Sequence, residues 1–268
     1  MKKQLAFLLL VICTVAACKN DPPEEETTTN TNMIAAPQNI SYNIVASYPH
    51  DTSSYTQGLI WVDNTLYEGT GVEGFSKLMK VDLGTGKAQQ SISLDSKDFG
   101  EGITLLNGKI YQLTWMNNKV YVYDAATFKK TGEFGWDYQG WGITNNGTEL
   151  IVSTGSNNLY FVDPATFKVK NIVGVFDNNG PVGNLNELEF IDGAVFANVY
   201  TSDYIIKIDP ASGHVIGKMN LEGLLEKAGK TVNYGDGNVL NGIAYDSTKK
   251  SMYITGKKWP LMFEVKIN

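Results

Sequence analysis

The sequence predicts an all-β, five-bladed β-propeller, and three observations predict it. The first is a recurring turn: KVDLGTGK (80–87), VYDAATFK (122–129), FVDPATFK (161–168) and KIDPASGH (207–214), each behind an alternating apolar run. Its aspartates, Asp82, Asp124, Asp163 and Asp209, stand 42, 39 and 46 residues apart. The second is a strand–turn–strand unit present five times: QGLIWVDNTLYEGTG (57–71), EGITLLNGKIYQLTW (101–115), WGITNNGTELIVSTG (141–155), NELEFIDGAVFANVY (186–200) and NGIAYDSTKKSMYITGKKW (241–259). Repeats of about 40 to 50 residues carrying several strands each are the mark of propeller blades. The third is a complementarity of ends. PLMFEVKIN repeats the apolar run but stops before its turn, and ISYNIVASYPH (40–50) can supply the missing outer strand. That closure removes exposed edges. A β-sandwich of similar strand count is the alternative, and it leaves the fivefold register without a cause.

The elements follow in chain order. MKKQLAFLLLVICTVAAC has two lysines, an apolar stretch and small residues before a cysteine, so residues 1–17 are expected to be a signal peptide. Val15-Ala16-Ala17-Cys18 fits a bacterial lipobox, with Cys18 the lipidated residue; an ordinary cleaved signal is the alternative. Residues 18–41 are polar, acidic and rich in Thr and Pro, and are expected to form a disordered tether. Lys19 behind the cysteine disfavours inner-membrane retention, so the expected place is the cell envelope, lipid-anchored at the outer membrane, facing the periplasm or the surface. The membrane is then met through the anchor alone. Residues 42–268 form the propeller. Within each blade an Asp-x-x-Thr/Ser turn leads into the outer strand, as Asp and Gly favour. LEGLLEKAG (221–229) predicts a short helix ended by Gly229 and lying over one face.

Composition excludes several chemistries. The chain has two cysteines, and Cys13 leaves with the signal, so the mature chain has no internal disulfide and no thiol nucleophile. Only two histidines are present, His50 and His214, which disfavours a His/Cys metal centre. Net charge is −6 before removal of Lys2 and Lys3, which argues against nucleic acid as a partner.

The inner strand of a blade runs nearest the axis, so equivalent positions form a ring. Gln57, Glu101, Trp141, Asn186 and Asn241 share one register, and glycine follows four of them, at Gly58, Gly102, Gly142 and Gly242. Small residues let strands crowd the axis and leave space for a ligand. The second strands end at a related level and bring Trp115, Tyr200 and Lys257-Lys258-Trp259 toward the same mouth. Convergent polar groups against aromatic walls make a small-ligand pocket. Glu68, in EGTG, reads as part of a structural turn, and the four repeat aspartates read as turn formers, not metal ligands.

The motifs YTQGL (55–59), FGEGIT (99–104), YQLTW (111–115), GWGIT (140–144), PVGNLNELEF (181–190), LNGIAYD (240–246) and TGKKWP (255–260) resemble the plant and bacterial glutaminyl-peptide cyclotransferases, the glutaminyl cyclases of five-bladed propeller type. The resemblance runs from about residue 45 to the C-terminus. It implies conversion of N-terminal glutamine of peptides or proteins to pyroglutamate with release of ammonia, and no cofactor for catalysis, while leaving room for a structural ion in the channel. Carried over by motif, it implies Glu101 as catalytic carboxylate with Lys257 and Asn186 beside it, and Gln57, Phe99, Trp115 and Trp141 around the substrate; Tyr200 and, by its place in the ring, Asn241 are expected there with them. Tyr55 stands where the family often has Phe, and two further departures matter more: Tyr200 stands where a Trp is frequent, and Gln139 where a Glu is frequent.

The implied reaction needs a proton taken from the attacking α-amine and delivered to the departing amide nitrogen, which one carboxyl can do. Aromatic neighbours would raise the Glu101 pKa and Lys257 would lower it. Lys257, Asn186 and Gln57 are the candidate oxyanion donors. The rival reading is a non-catalytic surface propeller binding peptides or sugars, which needs no Glu101. A calcium-dependent lactonase-type propeller would want several axial carboxylates, and the ring of aligned positions offers one.

Overall fold

The structure is a computed structural model, and it describes residues 34–268. The expected signal peptide, the expected lipidated Cys18 and most of the expected tether lie outside the described residues. Five sheets carry the blades. Blade 1 is Thr56–Val62, Thr65–Thr70, Lys77–Asp82 and Lys87–Ser93; blade 2 is Gly100–Leu106, Lys109–Thr114, Lys119–Asp124 and Lys129–Gly135. Blade 3 is Ile143–Asn145, Leu150–Ser153, Asn158–Val162 and Val169–Gly174. Blade 4 is Leu185–Ile191, Ala194–Val199, Tyr204–Ile208 and Val215–Asn220. Blade 5 takes Leu240–Asp246, Ser251–Gly256 and Leu261–Ile267 from the C-terminus, and its outer strand is Tyr42–Pro49, antiparallel to Leu261–Ile267.

One expected boundary moves. Gln38–Asn39, placed by sequence in the tether, pairs in parallel with Gly217 and Lys218 at the outer edge of blade 4. Ile40 packs behind it against the core between blades 4 and 5. An apolar side chain and an unpaired sheet edge capture the chain before its composition turns apolar. The expected helix is a single turn, Leu224–Lys227, anchored by the buried Leu224 and Leu225 and followed by Gly229 at φ +67°.

The repeat turns are built as their composition dictates. Asp82, Asp124 and Asp163 each accept the backbone N–H and the hydroxyl of the Thr three residues on, and Asp209 accepts the Ser212 hydroxyl. The residue directly after that Thr or Ser takes a left-handed backbone: Gly86 and Gly213 in two turns, Phe128 and Phe167 in the others. A bulky residue there costs about 1–3 kcal/mol. Both phenylalanine rings are buried, which returns about 1.5–3 kcal/mol each and offsets the strain.

The apolar core forms layers between blades rather than one central mass. Among the described residues it divides into five clusters. Ile60 and Leu78 of blade 1 meet Ile103 and Ile110 of blade 2, and Leu113 and Val120 of blade 2 meet Ile143 and Leu150 of blade 3. Ile151 and Leu159 of blade 3 meet Leu188 and Val195 of blade 4, and Phe196 and Ile205 of blade 4 meet Ile243 and Met252 of blade 5. Ala244 and Tyr253 of blade 5 return to Leu59 and Leu66 of blade 1. Strand alternation makes this possible, because Leu59 and Ile60 point to opposite faces of one sheet.

Near the axis the inner strands touch backbone to backbone. A Cβ on Gly102 would lie 2.7 Å from the Trp141 carbonyl oxygen, and one on Gly142 would collide with the carbonyl of Asn186. Gly142→Ala is therefore expected to lower stability by about 3 kcal/mol or to prevent folding, since neither atom can yield without moving a strand. Thermal denaturation checks it; a melting temperature within a degree or two of wild type would mean the blades shift freely.

Candidate active site

The site sits where the inner strands begin. In four blades the ladder slips there: between Thr56 and Gly58, Gly100 and Ile103, Leu185 and Leu188, and Leu240 and Ile243. Such bulges re-aim side chains, and the slipped residues include Gln57, Glu101, Asn186 and Asn241. In blade 3 the strand proper starts at Ile143, yet Trp141 and Gly142 still exchange backbone hydrogen bonds with Ser153.

A cavity of about 240 Å³ opens at this end, lined by Tyr55, Gln57, Phe99, Glu101, Trp115, Trp141, Asn186, Tyr200 and Lys257. The predicted Gln57, Phe99, Glu101, Trp115, Trp141, Asn186, Tyr200 and Lys257 are thus brought together. Asn241 is not among them. It is fully buried, and its Nδ2 donates to the Thr56 carbonyl at 3.0 Å and faces Gln57 Oε1 at 3.5 Å. Its amide holds Gln57 from behind, where Gly242 lets blade 5 pack closely on Thr56 and Leu59 of blade 1. Trp259 also departs from expectation: its ring packs on Gly256 in the core and its Nε1 donates to the Asn238 carbonyl.

The polar floor is one chain of contacts. Lys257 Nζ donates to Gln57 Oε1 at 2.6 Å, and Gln57 Nε2 donates to Glu101 Oε1 at 3.2 Å. The Gln57 amide therefore separates a buried ammonium from a buried carboxyl. Burial pushes the Glu101 carboxyl well above the ordinary carboxylate range, against the pull of Lys257. Burial pushes Lys257 down to about 8, against the pull of Glu101. Of the two opposed influences the sequence set on Glu101, desolvation wins. The Oδ1 of Asn186 is buried with no protein hydrogen-bond partner.

The wall is aromatic. Phe99 meets Tyr55 and Trp115 edge to face, at ring-centre distances of 6.2 and 5.8 Å. Trp141 meets Tyr200 edge to face at 5.5 Å. Lys257 Nζ lies 4.6 Å from the Tyr55 ring centre and 5.2 Å from that of Tyr200.

Three residues behind the site escaped the sequence reading in their true role. Glu68 is in the strand Thr65–Thr70, not a turn, and is buried. It accepts the Thr56 hydroxyl at 2.7 Å and His50 Nε2 at 3.1 Å, while His50 Nδ1 meets the Trp259 carbonyl at 2.6 Å. Burial alone would lower the His50 pKa, but the charge and hydrogen bond of Glu68 and the Trp259 carbonyl leave it raised. This bridge ties the segment carrying Gln57 to the one carrying Lys257. The third is Glu187, where the other aligned positions have glycine. It accepts Leu59 N–H at 3.3 Å and Ile243 N–H at 2.9 Å, and burial raises its pKa. Glu189 on the same strand accepts Tyr245 N–H, and burial lifts it to about 8. Blade 4 thus supplies two further buried carboxyls, and both hold neighbouring backbone. The signal available was the acidic alternation in LNELEF, an odd pattern for a buried strand.

The sequence matches the glutamine cyclotransferase family over residues 10–267. It is 41% identical over 230 residues to a glutaminyl-peptide cyclotransferase of Arabidopsis thaliana, spanning 84% of this chain and 70% of that one. The fold matches the crystal structure of Myxococcus xanthus glutaminyl cyclase with a TM-score of 0.80 at 30% identity, over 87% of this chain and 98% of that chain.

The depressed Lys257 pKa has a consequence for stability. Between about 8 and the ordinary lysine value the unfolded chain holds a proton that the folded chain lacks, so stability contributed at this residue rises with pH across that window. Relative to Lys257→Met, wild type is expected to gain stability from pH about 8 upward. Urea denaturation of both proteins checks it, and a pH-independent gap would place Lys257 in water.

Proposed function

The chain belongs to the glutamine cyclotransferase family, and we propose that its cavity closes the N-terminal glutamine of a peptide into pyroglutamate, with Glu101 carrying the proton. The observation that carries this is the pairing of a buried carboxyl and a buried ammonium across Gln57 inside an aromatic wall. A module that only bound peptides or sugars would be more stable without a desolvated carboxyl, so its retention favours chemistry over binding.

In the reaction the substrate α-amine attacks its own γ-carboxamide carbon. A C–N bond forms, the carbonyl becomes a tetrahedral oxyanion, and the old C–N bond breaks as ammonia leaves. The amine is half deprotonated at its pKa of about 7.7–8.0 and more so above it, so the attack itself needs little help. The leaving nitrogen needs a proton, and the amine must lose one. Glu101, its pKa raised by burial, takes the proton from the amine and delivers it to the leaving nitrogen. Lys257 is the donor best placed for the oxyanion, since its ammonium lies in the cavity; Gln57 Nε2 is engaged with Glu101. One such donor lowers the barrier by about 2.7–4 kcal/mol. Asn186 Oδ1 would take an N–H of the amine or of the departing amide. Trp115, Trp141, Phe99 and Tyr200 would hold the glutaminyl chain folded, a positioning effect. No cofactor enters this scheme.

With a Gln-initiated peptide and a Glu-initiated control, we expect ammonia and loss of its mass from the Gln peptide alone, resistant to chelator. Glu101→Gln should fold yet lose turnover by at least about a thousandfold, and Lys257→Ala by about a hundredfold or more. Wild-type rates in Glu101→Gln would remove it from the reaction. Binding without ammonia release would identify the binding module.

The cell-envelope placement rests on Val15-Ala16-Ala17-Cys18 and the polar run behind it. Several acyl chains there would hold the protein to a membrane firmly. Cells fed labelled palmitate should label the full-length chain and not Cys18→Ala; an unlabelled wild type would mean an ordinary cleaved signal.

A further inference from the structure

We infer that Gln139 is a positioning residue that sets the spacing of the two tryptophan walls; this rests on the cyclotransferase reading of the cavity. Three indoles converge on it. Its side-chain oxygen accepts Nε1 of Trp115 at 3.0 Å and Nε1 of Trp141 at 3.0 Å. Its backbone carbonyl accepts Nε1 of Trp136 at 3.2 Å. An indole has one donor and no acceptor, and an amide oxygen has two lone pairs, so a single glutamine satisfies both wall indoles. The reverse amide orientation would set an NH₂ against two N–H groups, so the contacts themselves decide which atom is oxygen.

The backbone under this clamp is rigid. Trp136 is buried between blades 2 and 3, and the next N–H, of Gly140, donates to the carbonyls of Thr114 and Trp115. The clamp also stands where nothing else would serve. Tyr55, Phe99 and Trp115 touch ring to ring, as do Trp141 and Tyr200, and Lys257 bridges Tyr55 to Tyr200. No ring contact joins Trp115, at the end of a blade 2 strand, to Trp141, at the start of blade 3. Gln139 spans that gap. It also does so without charge. A carboxylate at the same atoms would accept both indoles but would favour the protonated substrate amine, which cannot attack.

The test compares wild type, Gln139→Leu and Gln139→Glu on a Gln-initiated peptide from neutral to alkaline pH, with indole ¹⁵N–¹H spectra of each protein. In Gln139→Leu, kcat/KM should fall about tenfold, with kcat itself reduced, as expected for loss of two neutral hydrogen bonds. The Trp115 and Trp141 indole signals should move while that of Trp136 stays. Gln139→Glu should keep both indole signals and recover kcat at alkaline pH. Its kcat/KM profile should rise at higher pH than that of wild type. A folded Gln139→Leu with kcat within about twofold of wild type overturns the inference. So does a Gln139→Glu profile that neither recovers nor shifts. If Gln139→Leu does not fold, Gln139→Glu decides alone, through its indole signals and its profile. Absence of ammonia from wild type would sink the cyclotransferase reading instead, and the indole spectra would still judge the clamp.

Discussion

The close approach of inner strands at the axis is the constraint on which the rest depends. Gly58, Gly102 and Gly142 remove the Cβ atoms that would otherwise meet a neighbouring backbone. At the equivalent place in blade 4 a carboxyl, Glu187, reaches across and takes the N–H groups of Leu59 in blade 1 and Ile243 in blade 5. Three strands with missing side chains and one strand with a long acceptor make a closed hub. The bulges at the same level follow, because strands pressed this close slip their ladders as they leave the axis. The bulges in turn aim Gln57, Glu101 and Asn186 into a single cavity.

The cavity keeps two ionisable groups out of water, at a cost in stability. Glu101 and Lys257 are each desolvated, and burial shifts them toward each other, up for the acid and down to about 8 for the base. Here the Gln57 amide stands between the two and is itself fixed by Asn241. The His50–Glu68 bridge then holds the two segments that carry Gln57 and Lys257. Its members satisfy one another, so its burial is affordable where an unpaired charge would not be.

Much of the fold was legible because the blades repeat. The Asp-x-x-Thr turn, the alternating runs and the truncated last copy depend on neighbours in sequence, and local chemistry decides them. The closing strand Tyr42–Pro49 could be foreseen since a missing strand and a spare one complement each other. Gln38–Asn39 could not, because its partner is an edge of blade 4 that no local pattern announces. Glu68 was read as a turn residue because EGTG has turn composition; tertiary pairing of the strand overrode it.

For the site, residue types and their ring register were set by sequence alone, and so was the isolation of Glu101 as the carboxyl among aligned positions. Which aligned side chains reach the cavity was not. Asn241 shares the register of Gln57 yet lies behind it, and Trp259 follows Lys257 yet turns into the core. The direction of the Glu101 shift, the unpaired Oδ1 of Asn186 and the meeting of two indoles on Gln139 all depend on distances between blades. A sequence specifies what each strand can offer; only packed neighbours decide which groups lose water and which find each other.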